Sequence, residues 1–231
     1  GLFGPKSRDL IKTISSDNFE RDNFKSGTAK FVTIAGVKIC CQRLSYVGEL
    51  GYELYVDFKD AKKIYELIIN KGKDFNLSNC GMHAMDIMRM ESGFLHWGHD
   101  ISPEENQYEA GLDFTISYKK DVNFIGKEAL LYIKDKKLKK RFAMFSLKES
   151  EPGYPLLLHD EPIYLENKII GRSTSGNYSF NYKKNLLFGY IDTQLPNAQL
   201  VNKNLFIEVE KEKYPLNIEL EPLKSKKIRL S

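Results

Sequence analysis

Residues 30–58 read KFVTIAGVKICCQRLSYVGELGYELYVDF and contain three β-rich runs in close succession. Phe31–Ile34 and Val37–Cys41 are separated only by Ala35-Gly36, a spacing that predicts a tight hairpin. Gly51–Phe58 then alternates between apolar and polar side chains, which indicates a further strand. The residues on one face of this strand are Tyr52, Leu54 and Val56.

Helical periodicity appears in three other places in the first half of the chain. Asp60 is the predicted N-cap of a helix that ends at Gly72. A second helix is predicted from about Cys80 to Glu91, with its cap near Asn79, and a third follows Gly126. The first half is therefore predicted to be mixed α and β.

The second half changes character near Lys139 and consists of short β-rich runs separated by turn residues. Many short strands with regular turns predict a small antiparallel barrel or sandwich. We place the boundary at about residue 137, which gives predicted domains of residues 1–136 and 137–231. The predicted strands are Phe142–Leu147, Ile163–Leu165, Ile169–Ser175, Leu186–Ile191, Leu205–Val209 and Leu216–Leu220. The predicted turns are Glu166-Asn167, Pro196-Asn197 and Tyr214-Pro215.

Composition excludes several classes of protein. The 231 residues are 42% hydrophobic and 29% charged, which is ordinary for a globular chain that buries a core. The 35 basic and 31 acidic residues are interleaved, so no clustered basic face indicates nucleic acid. No apolar run approaches the length of a membrane span. An odd count of three cysteines predicts reduced thiols, and hence the cytoplasm, or the mitochondrial matrix in a eukaryote.

The loop from Arg43 to Glu53 is the first candidate site. Its two glycines, Gly48 and Gly51, allow backbone to approach a ligand closely. A carboxylate such as Glu53 accepts paired hydrogen bonds from adjacent N–H donors, and the Tyr46 ring offers a contact to a flat heterocycle. The alternative is a plain hairpin with solvated acids.

The run Leu95-His96-Trp97-Gly98-His99-Asp100 is the second candidate. Its His-x-x-His-Asp spacing lies on a loop and would need a distant third ligand, so we expect no metal there. Trp97 is expected to line a pocket or to fill the core. Arg89, on the second helix, is either a buried ion-pair partner or an anion contact.

Six motifs in order resemble one family over nearly the whole chain. They are Gly4-Pro5-Lys6-Ser7-Arg8, the run Ser45–Glu53, Ile87–Gly93, Glu109-Ala110-Gly111-Leu112, Phe124–Leu130 and Thr174-Ser175-Gly176. The pattern is similar to the folate-binding aminomethyltransferase family, typified by the T-protein of the glycine cleavage system. The segment His96–Ile101 is most similar to the C-terminal domains of dimethylglycine and sarcosine dehydrogenases.

The resemblance implies an α+β fold, with mixed α/β folate-binding layers followed by a small antiparallel C-terminal β-barrel. It implies that tetrahydrofolate accepts a one-carbon unit from an aminomethyl or iminium donor, giving 5,10-methylenetetrahydrofolate. The folate-binding residues carried over are Tyr46, Glu53, Arg89 and Trp97. Any FAD would belong to a separate or missing flavin dehydrogenase domain, because no Gly-x-Gly-x-x-Gly occurs here.

Two departures from the family pattern bear on activity. Met85 stands where T-proteins have an Arg, which disfavours a T-protein working with a lipoyl carrier. The family's catalytic Asp lies upstream of the Gly-Pro-x-x-Arg motif, before residue 1 of this chain. We therefore expect an N-terminally truncated sequence whose catalytic residue is unknown and whose activity alone is impaired. The alternatives are a T-protein fragment and a non-catalytic module for regulation or partner contact.

Overall fold

The computed structural model describes residues 1–192 and 195–224, which form two compact units. The first unit comprises Gly1–Ser92 together with Lys224, and the second lies within residues 93–223. Within the described residues, no helix combines the length and the apolar character that crossing a bilayer requires. The domain boundary near residue 137 stays a prediction.

Four antiparallel strands form the sheet of the first unit. They are β1 (Leu2–Phe3), β2 (Ala29–Ile34), β3 (Val37–Gln42) and β4 (Gly51–Tyr55), in the order β1-β4-β3-β2. Ile34 pairs with Val37 across the turn between β2 and β3. Ala35 and Gly36 have φ values of 53° and 78°, as a two-residue hairpin turn with both central residues left-handed requires. The predicted hairpin is therefore confirmed.

The core of the first unit forms against one face of this sheet. Tyr52 on β4 is fully buried, and its ring centroid lies 5.5 Å from that of Phe19 and 5.8 Å from that of Phe24. Leu54 and Val56 pack against the same cluster, which confirms the predicted apolar face. The further buried members are Leu2, Leu10, Ile11, Val32, Ile34, Ile39, Cys41 and Ile64.

The helices of the first unit are α1 (Ser7–Lys12), α2 (Phe58–Gly72) and α3 (Met82–Glu91), with a 3₁₀ turn at Lys73–Phe75. The predicted cap at Asp60 was wrong, and the cap predicted near Asn79 lies at Gly81. Asp57 is the extended residue before α2, and the Asp60 N–H already donates to its carbonyl at 2.9 Å. Gly81 is extended before α3, whereas the Asn79 amide donates to the Tyr65 hydroxyl at 2.8 Å.

The second unit contains a closed antiparallel barrel, as predicted, rather than a sandwich. Its strands are β5 (Arg141–Leu147), β6 (Pro162–Leu165), β7 (Lys168–Ser179), β8 (Lys184–Ile191), β9 (Leu205–Val209) and β10 (Glu212–Glu219). They close in the order β10-β5-β8-β7-β6-β9. The barrel interior is filled by Ala143, Phe145, Leu147, Ile163, Leu187, Ile191, Leu205, Ile207 and Leu216.

The remaining helical elements are α4 (Lys127–Lys134), which follows Gly126 as predicted, α5 (Asn197–Leu200) and a 3₁₀ turn at Asp113–Thr115.

The predicted turn at Tyr214-Pro215 was wrong, because both residues lie inside β10. Pro215 pairs with Phe206 of β9, and its carbonyl accepts the N–H of Lys148 at 3.0 Å on the other side of the strand. The N and C=O of one strand residue point to the same side, so the missing proline N–H also faces Lys148. Lys148 lies just past the end of β5, and the proline therefore removes no bond to β9.

Candidate functional site

The loop between β3 and β4 carries Tyr46 and is anchored at both ends. At its start, the buried Arg43 guanidinium donates to the Phe24 carbonyl at 2.6 Å, and burial lowers the pKa of this group. At its end, the Leu50 carbonyl accepts the Gly4 N–H at 2.8 Å and the Ser7 hydroxyl at 3.3 Å. Tyr46 itself is half-buried. The loop is therefore held in one place by contacts to its own unit.

Gly48 brings this loop against the end of α3. Its φ is +68°, and a Cβ placed there would lie 1.9 Å from the Oγ of Ser92. Ser92 is the residue that follows α3, and Arg89 lies in the last turn of the same helix. The structure therefore packs the loop of Tyr46 against the helix end of Arg89. The predicted close approach of this loop to a ligand stays a prediction.

Glu53 lies on the face of β4 opposite the buried Tyr52. Its half-buried carboxylate accepts the Tyr55 hydroxyl at 2.8 Å, and this hydrogen bond raises the pKa of Tyr55. A carboxylate has about four acceptor positions, so Tyr55 uses only part of this capacity. Sequence reasoning missed Tyr55, although the two-residue period of a strand places it beside Glu53.

Arg89 is almost completely buried in α3, with 1% of its surface exposed. Its Nε and a terminal nitrogen lie 2.9 Å and 2.8 Å from one oxygen of Asp86, one turn earlier. The ion-pair interpretation of Arg89 is therefore confirmed. Asp86 was missed, although its i, i+3 spacing on a predicted helix was the available signal.

Trp97 lies in the second unit, on the loop that precedes Ile101. It is 65% exposed, which rules out the interpretation as a core tryptophan. A tight turn presents it: the Asp100 N–H donates to the His96 carbonyl at 2.8 Å, and the Gly98 N–H donates to the Ile101 carbonyl at 2.8 Å.

Asp100 joins two of the sequence motifs within the second unit. This buried carboxylate accepts the His96 N–H at 2.9 Å and the hydroxyls of Thr174 and Ser175 at 2.5 Å and 2.8 Å. Through these bonds to both of its oxygens, Asp100 anchors its own loop to β7. Among the described residues, no group of three or more His, Cys, Asp or Glu side chains is arranged to hold a metal ion.

A cleft of about 420 Å³ opens beside this loop, entirely within the second unit. Lys140 and Glu105, which form an ion pair, lie on its wall together with Arg172, which pairs with Asp160. The Tyr190 ring also lines it. None of Tyr46, Glu53, Arg89 and Trp97 lines this cleft.

Two family models match the chain and together span most of it. The one described as the GCVT N-terminal domain matches residues 1–120, and the one described as the glycine cleavage T-protein C-terminal barrel domain matches residues 140–224.

The curated relatives include dehydrogenases and aminomethyltransferases that are longer than this chain. Mitochondrial dimethylglycine dehydrogenase of Homo sapiens is 34% identical over 223 residues, which is 96% of this chain and 25% of that protein. Mitochondrial sarcosine dehydrogenase of Homo sapiens is 31% identical over 82% of this chain and 20% of its own length. An aminomethyltransferase of Halothermothrix orenii is 34% identical over 82% of this chain and 51% of its own length. The chain thus spans about a quarter or less of these dehydrogenases and about half of that aminomethyltransferase.

A solved structure shares the fold. The glycine cleavage system aminomethyltransferase T of Bartonella henselae superposes with a TM-score of 0.79 at 20% identity. The match covers 96% of this chain and 58% of the other. At this identity the likeness establishes the fold alone, and it agrees with the expected α+β architecture ending in a barrel.

Proposed function

Because this chain belongs to the glycine cleavage T-protein family, we propose that it takes part in tetrahydrofolate-dependent one-carbon transfer. Tetrahydrofolate accepts a methylene group from an aminomethyl or iminium donor, and 5,10-methylenetetrahydrofolate is the product. The observation that carries the proposal is the Glu53 carboxylate on the face of β4 opposite the core, with acceptor capacity left beyond its bond from Tyr55.

Glu53 suits the amino edge of a pterin. That edge carries adjacent N–H donors, and a carboxylate accepts two such bonds in parallel, which gives strength and orientation together. Tyr46 is proposed to contact the flat heterocycle from the neighbouring loop. Arg89 and Trp97 are also proposed folate-binding residues, each within its own unit. Arg89 holds its helix end through Asp86, and Trp97 offers an exposed aromatic ring.

The reaction balances without a redox step in this chain. N5 of tetrahydrofolate attacks the iminium carbon and loses its proton, which the donor nitrogen takes up. N10 then bonds to the same carbon as the bond from this carbon to the donor nitrogen breaks, the donor leaves as the neutral amine, and the proton lost by N10 is released. Holding the folate nitrogen beside the carbon converts an encounter into a positioned step. The general acid or base for the proton transfers is the family's Asp, which has no counterpart motif in this chain.

We further propose a longer dehydrogenase-like protein as the setting of this activity. Dimethylglycine dehydrogenase aligns with 96% of the chain and the aminomethyltransferase of Halothermothrix orenii with 82%. Met85, in place of the T-protein Arg, also favours the dehydrogenase type. In this setting a separate flavin domain would oxidise a small N-methyl amine and supply the iminium donor. The proposed compartment is reducing, either the cytoplasm or the mitochondrial matrix.

The test is a calorimetric titration of tetrahydrofolate into the chain and its Glu53→Gln variant. A hydrogen bond to a charged group contributes about 1.5–3 kcal/mol, so the variant is expected to bind about ten- to hundredfold more weakly. Glu208→Gln is the matched control, because Glu208 is also a strand glutamate that accepts a tyrosine hydroxyl, that of Tyr164. Equal affinity in Glu53→Gln and the unaltered chain would contradict the site.

The T-protein alternative differs in its donor. It is favoured by the 34% identity to the aminomethyltransferase of Halothermothrix orenii. Supplying the longer parent protein with dimethylglycine or sarcosine, or with an aminomethylated lipoyl carrier, distinguishes the two. Methylene transfer from the lipoyl carrier alone would establish the alternative.

A further inference from the structure

Lys224 is a buried lysine that forms an ion pair within the first unit. Only 5% of its surface is exposed. Its ammonium donates to the carboxylate of Glu49 and to the carbonyl of Val47, the latter at 3.3 Å, and its own N–H donates to the Glu91 carbonyl at 2.8 Å. Lysine is rarely buried to this extent unless it is paired, so this contact is a specific feature of the fold.

The partners of Lys224 belong to two different elements. Val47 and Glu49 lie on the loop that carries Tyr46, whereas Glu91 is the last residue of α3. Lys224 therefore connects the loop to the helix end from one side, while the contact between Gly48 and Ser92 connects them directly.

Lys224 acts on the middle of the loop, between its two anchored ends. Arg43 and Leu50 fix the two ends of the loop, and Val47 is buried beneath it. Between these points Glu49 is held through Lys224, and its side chain is 22% exposed. Removing the ammonium would leave a partly buried carboxylate without its ion pair, and movement of the loop toward solvent would relieve this cost.

We propose that Lys224 is a positioning residue for folate. Its ion pair with Glu49 holds the loop between β3 and β4 in the conformation that presents Tyr46 and precedes the strand of Glu53. This inference rests on the proposed function. Lys224 touches no substrate in this role and acts only through the loop.

The test combines loop mobility with binding. Lys224→Met is expected to speed amide hydrogen exchange in residues 46–50 at least tenfold and to weaken tetrahydrofolate binding about tenfold, while exchange in β5–β10 is unchanged. Lys224→Arg, which keeps the charge and the donors, is expected to restore most of both. Lys140→Met is the matched control, because it breaks a Lys–Glu pair in the second unit and should leave residues 46–50 unaffected.

A double-mutant cycle separates positioning from a general loss of stability. If the ion pair is the cause, Glu49→Gln alone weakens binding as much as Lys224→Met does, and the double variant is no weaker than either. Additive losses, or a Lys224→Met chain with normal affinity and normal loop exchange, would overturn the proposal. If Lys224→Met fails to fold, Glu49→Gln decides by the same two readouts.

Failure of this inference and failure of the proposed function give different results. If the unaltered chain does not bind tetrahydrofolate, the folate assignment fails and the binding role of Lys224 fails with it. If the unaltered chain binds and Lys224→Met binds equally well, the folate assignment stands and only the positioning role is lost.

Discussion

Individual polar groups with little exposure to solvent either stabilise or destabilise this fold, depending on whether they have hydrogen-bond partners. Asp100 and Glu105 are carboxylates whose oxygens accept several hydrogen bonds. The hydroxyls of Tyr52 and Tyr190, in contrast, are buried with no hydrogen-bond partner among the described residues. A satisfied buried group stabilises the fold modestly, whereas an unsatisfied one carries its full cost of desolvation.

Tyr190→Phe is expected to leave the free energy of unfolding unchanged or to raise it by about 1 kcal/mol, because it removes an unsatisfied hydroxyl and keeps the ring. Denaturant unfolding measures the change. Tyr214→Phe is the control, since the Tyr214 hydroxyl lies 2.9 Å from both Glu212 and Tyr154 and its loss should destabilise slightly. A destabilisation of Tyr190→Phe by more than about 1 kcal/mol would show that its hydroxyl has a partner.

Glu105 is expected to make stability depend on pH. Burial raises the pKa of this carboxyl, but hydrogen bonds from Lys140 and Ser102 outweigh burial and hold the pKa below its usual 4.5. A lowered folded pKa means that the contribution is complete above pH 4.5 and is lost as the pH falls through the lower folded value. The unaltered chain should therefore be more stable than Glu105→Gln near pH 7, and the difference should shrink below pH 4.5.

Chemical denaturation at a series of pH values measures this difference. Glu104→Gln is the neighbouring control, because Glu104 is exposed and is not the partner of Lys140 in this ion pair. A gap between the unaltered chain and Glu105→Gln that is the same at pH 3 and pH 7 would be inconsistent with the ion pair.

At the scale of elements, backbone conformation and close packing explain the residues at key positions of two loops. The β2–β3 turn needs left-handed residues at both central positions, and Ala35-Gly36 occupies them. The β3–β4 loop needs a residue without a side chain at Gly48, because Ser92 occupies the space of a Cβ. The first requirement is local, whereas the second arises only when α3 packs against the loop.

Gly48→Ala is expected to destabilise the first unit and to weaken tetrahydrofolate binding. The left-handed conformation costs an alanine about 1–2 kcal/mol, and the clash with Ser92 adds about 1–3 kcal/mol. Gly27→Ala is the matched control: its φ is +77° and nothing lies within 4 Å of the new Cβ, so only the first cost applies. Unfolding free energies of the two variants measure the difference, and equal values would mean that the loop does not pack on Ser92.

At the scale of the whole molecule, the two units are built on different principles. The first buries aromatic rings between an open four-stranded sheet and its helices. The second closes its sheet into a barrel, so its strands have no free edges. Opening of the first unit can be followed separately, because all three cysteines lie in it.

Thiol labelling is expected to report that opening. Cys41 is buried in the core, and burial raises its pKa to about 12, so at pH 8 only about one thiol in ten thousand is ionised. Cys80 is exposed and Cys40 half-buried. With a chromogenic disulfide reagent, the native chain should titrate no more than two thiols within minutes and the denatured chain all three. Cys41→Ser should leave the native count unchanged, and rapid native labelling of three thiols would contradict the buried position.

Local patterns were sufficient for much of the fold and for the candidate residues. The hairpin turn, the Tyr52 face and the end of α2 at Gly72 depend on neighbours a few residues away, and each was predictable. The six ordered motifs identified the family, which the comparisons confirm, and placed Tyr46, Glu53, Arg89 and Trp97 on their elements. Whether these four residues bind folate stays a prediction.

Contacts between distant parts of the chain could be established only by the folded structure. Asp100 binds Thr174 and Ser175, Gly48 packs on Ser92, and Lys224 pairs with Glu49, although up to 175 residues separate the members of a pair. The fit of Pro215 within β10 also depends on a distant part of the chain. Because β5 ends before Lys148, no strand residue needs the N–H that proline lacks. Local preferences fix turns, strand faces and helix ends, whereas the position of a buried charge depends on which distant group neutralises it.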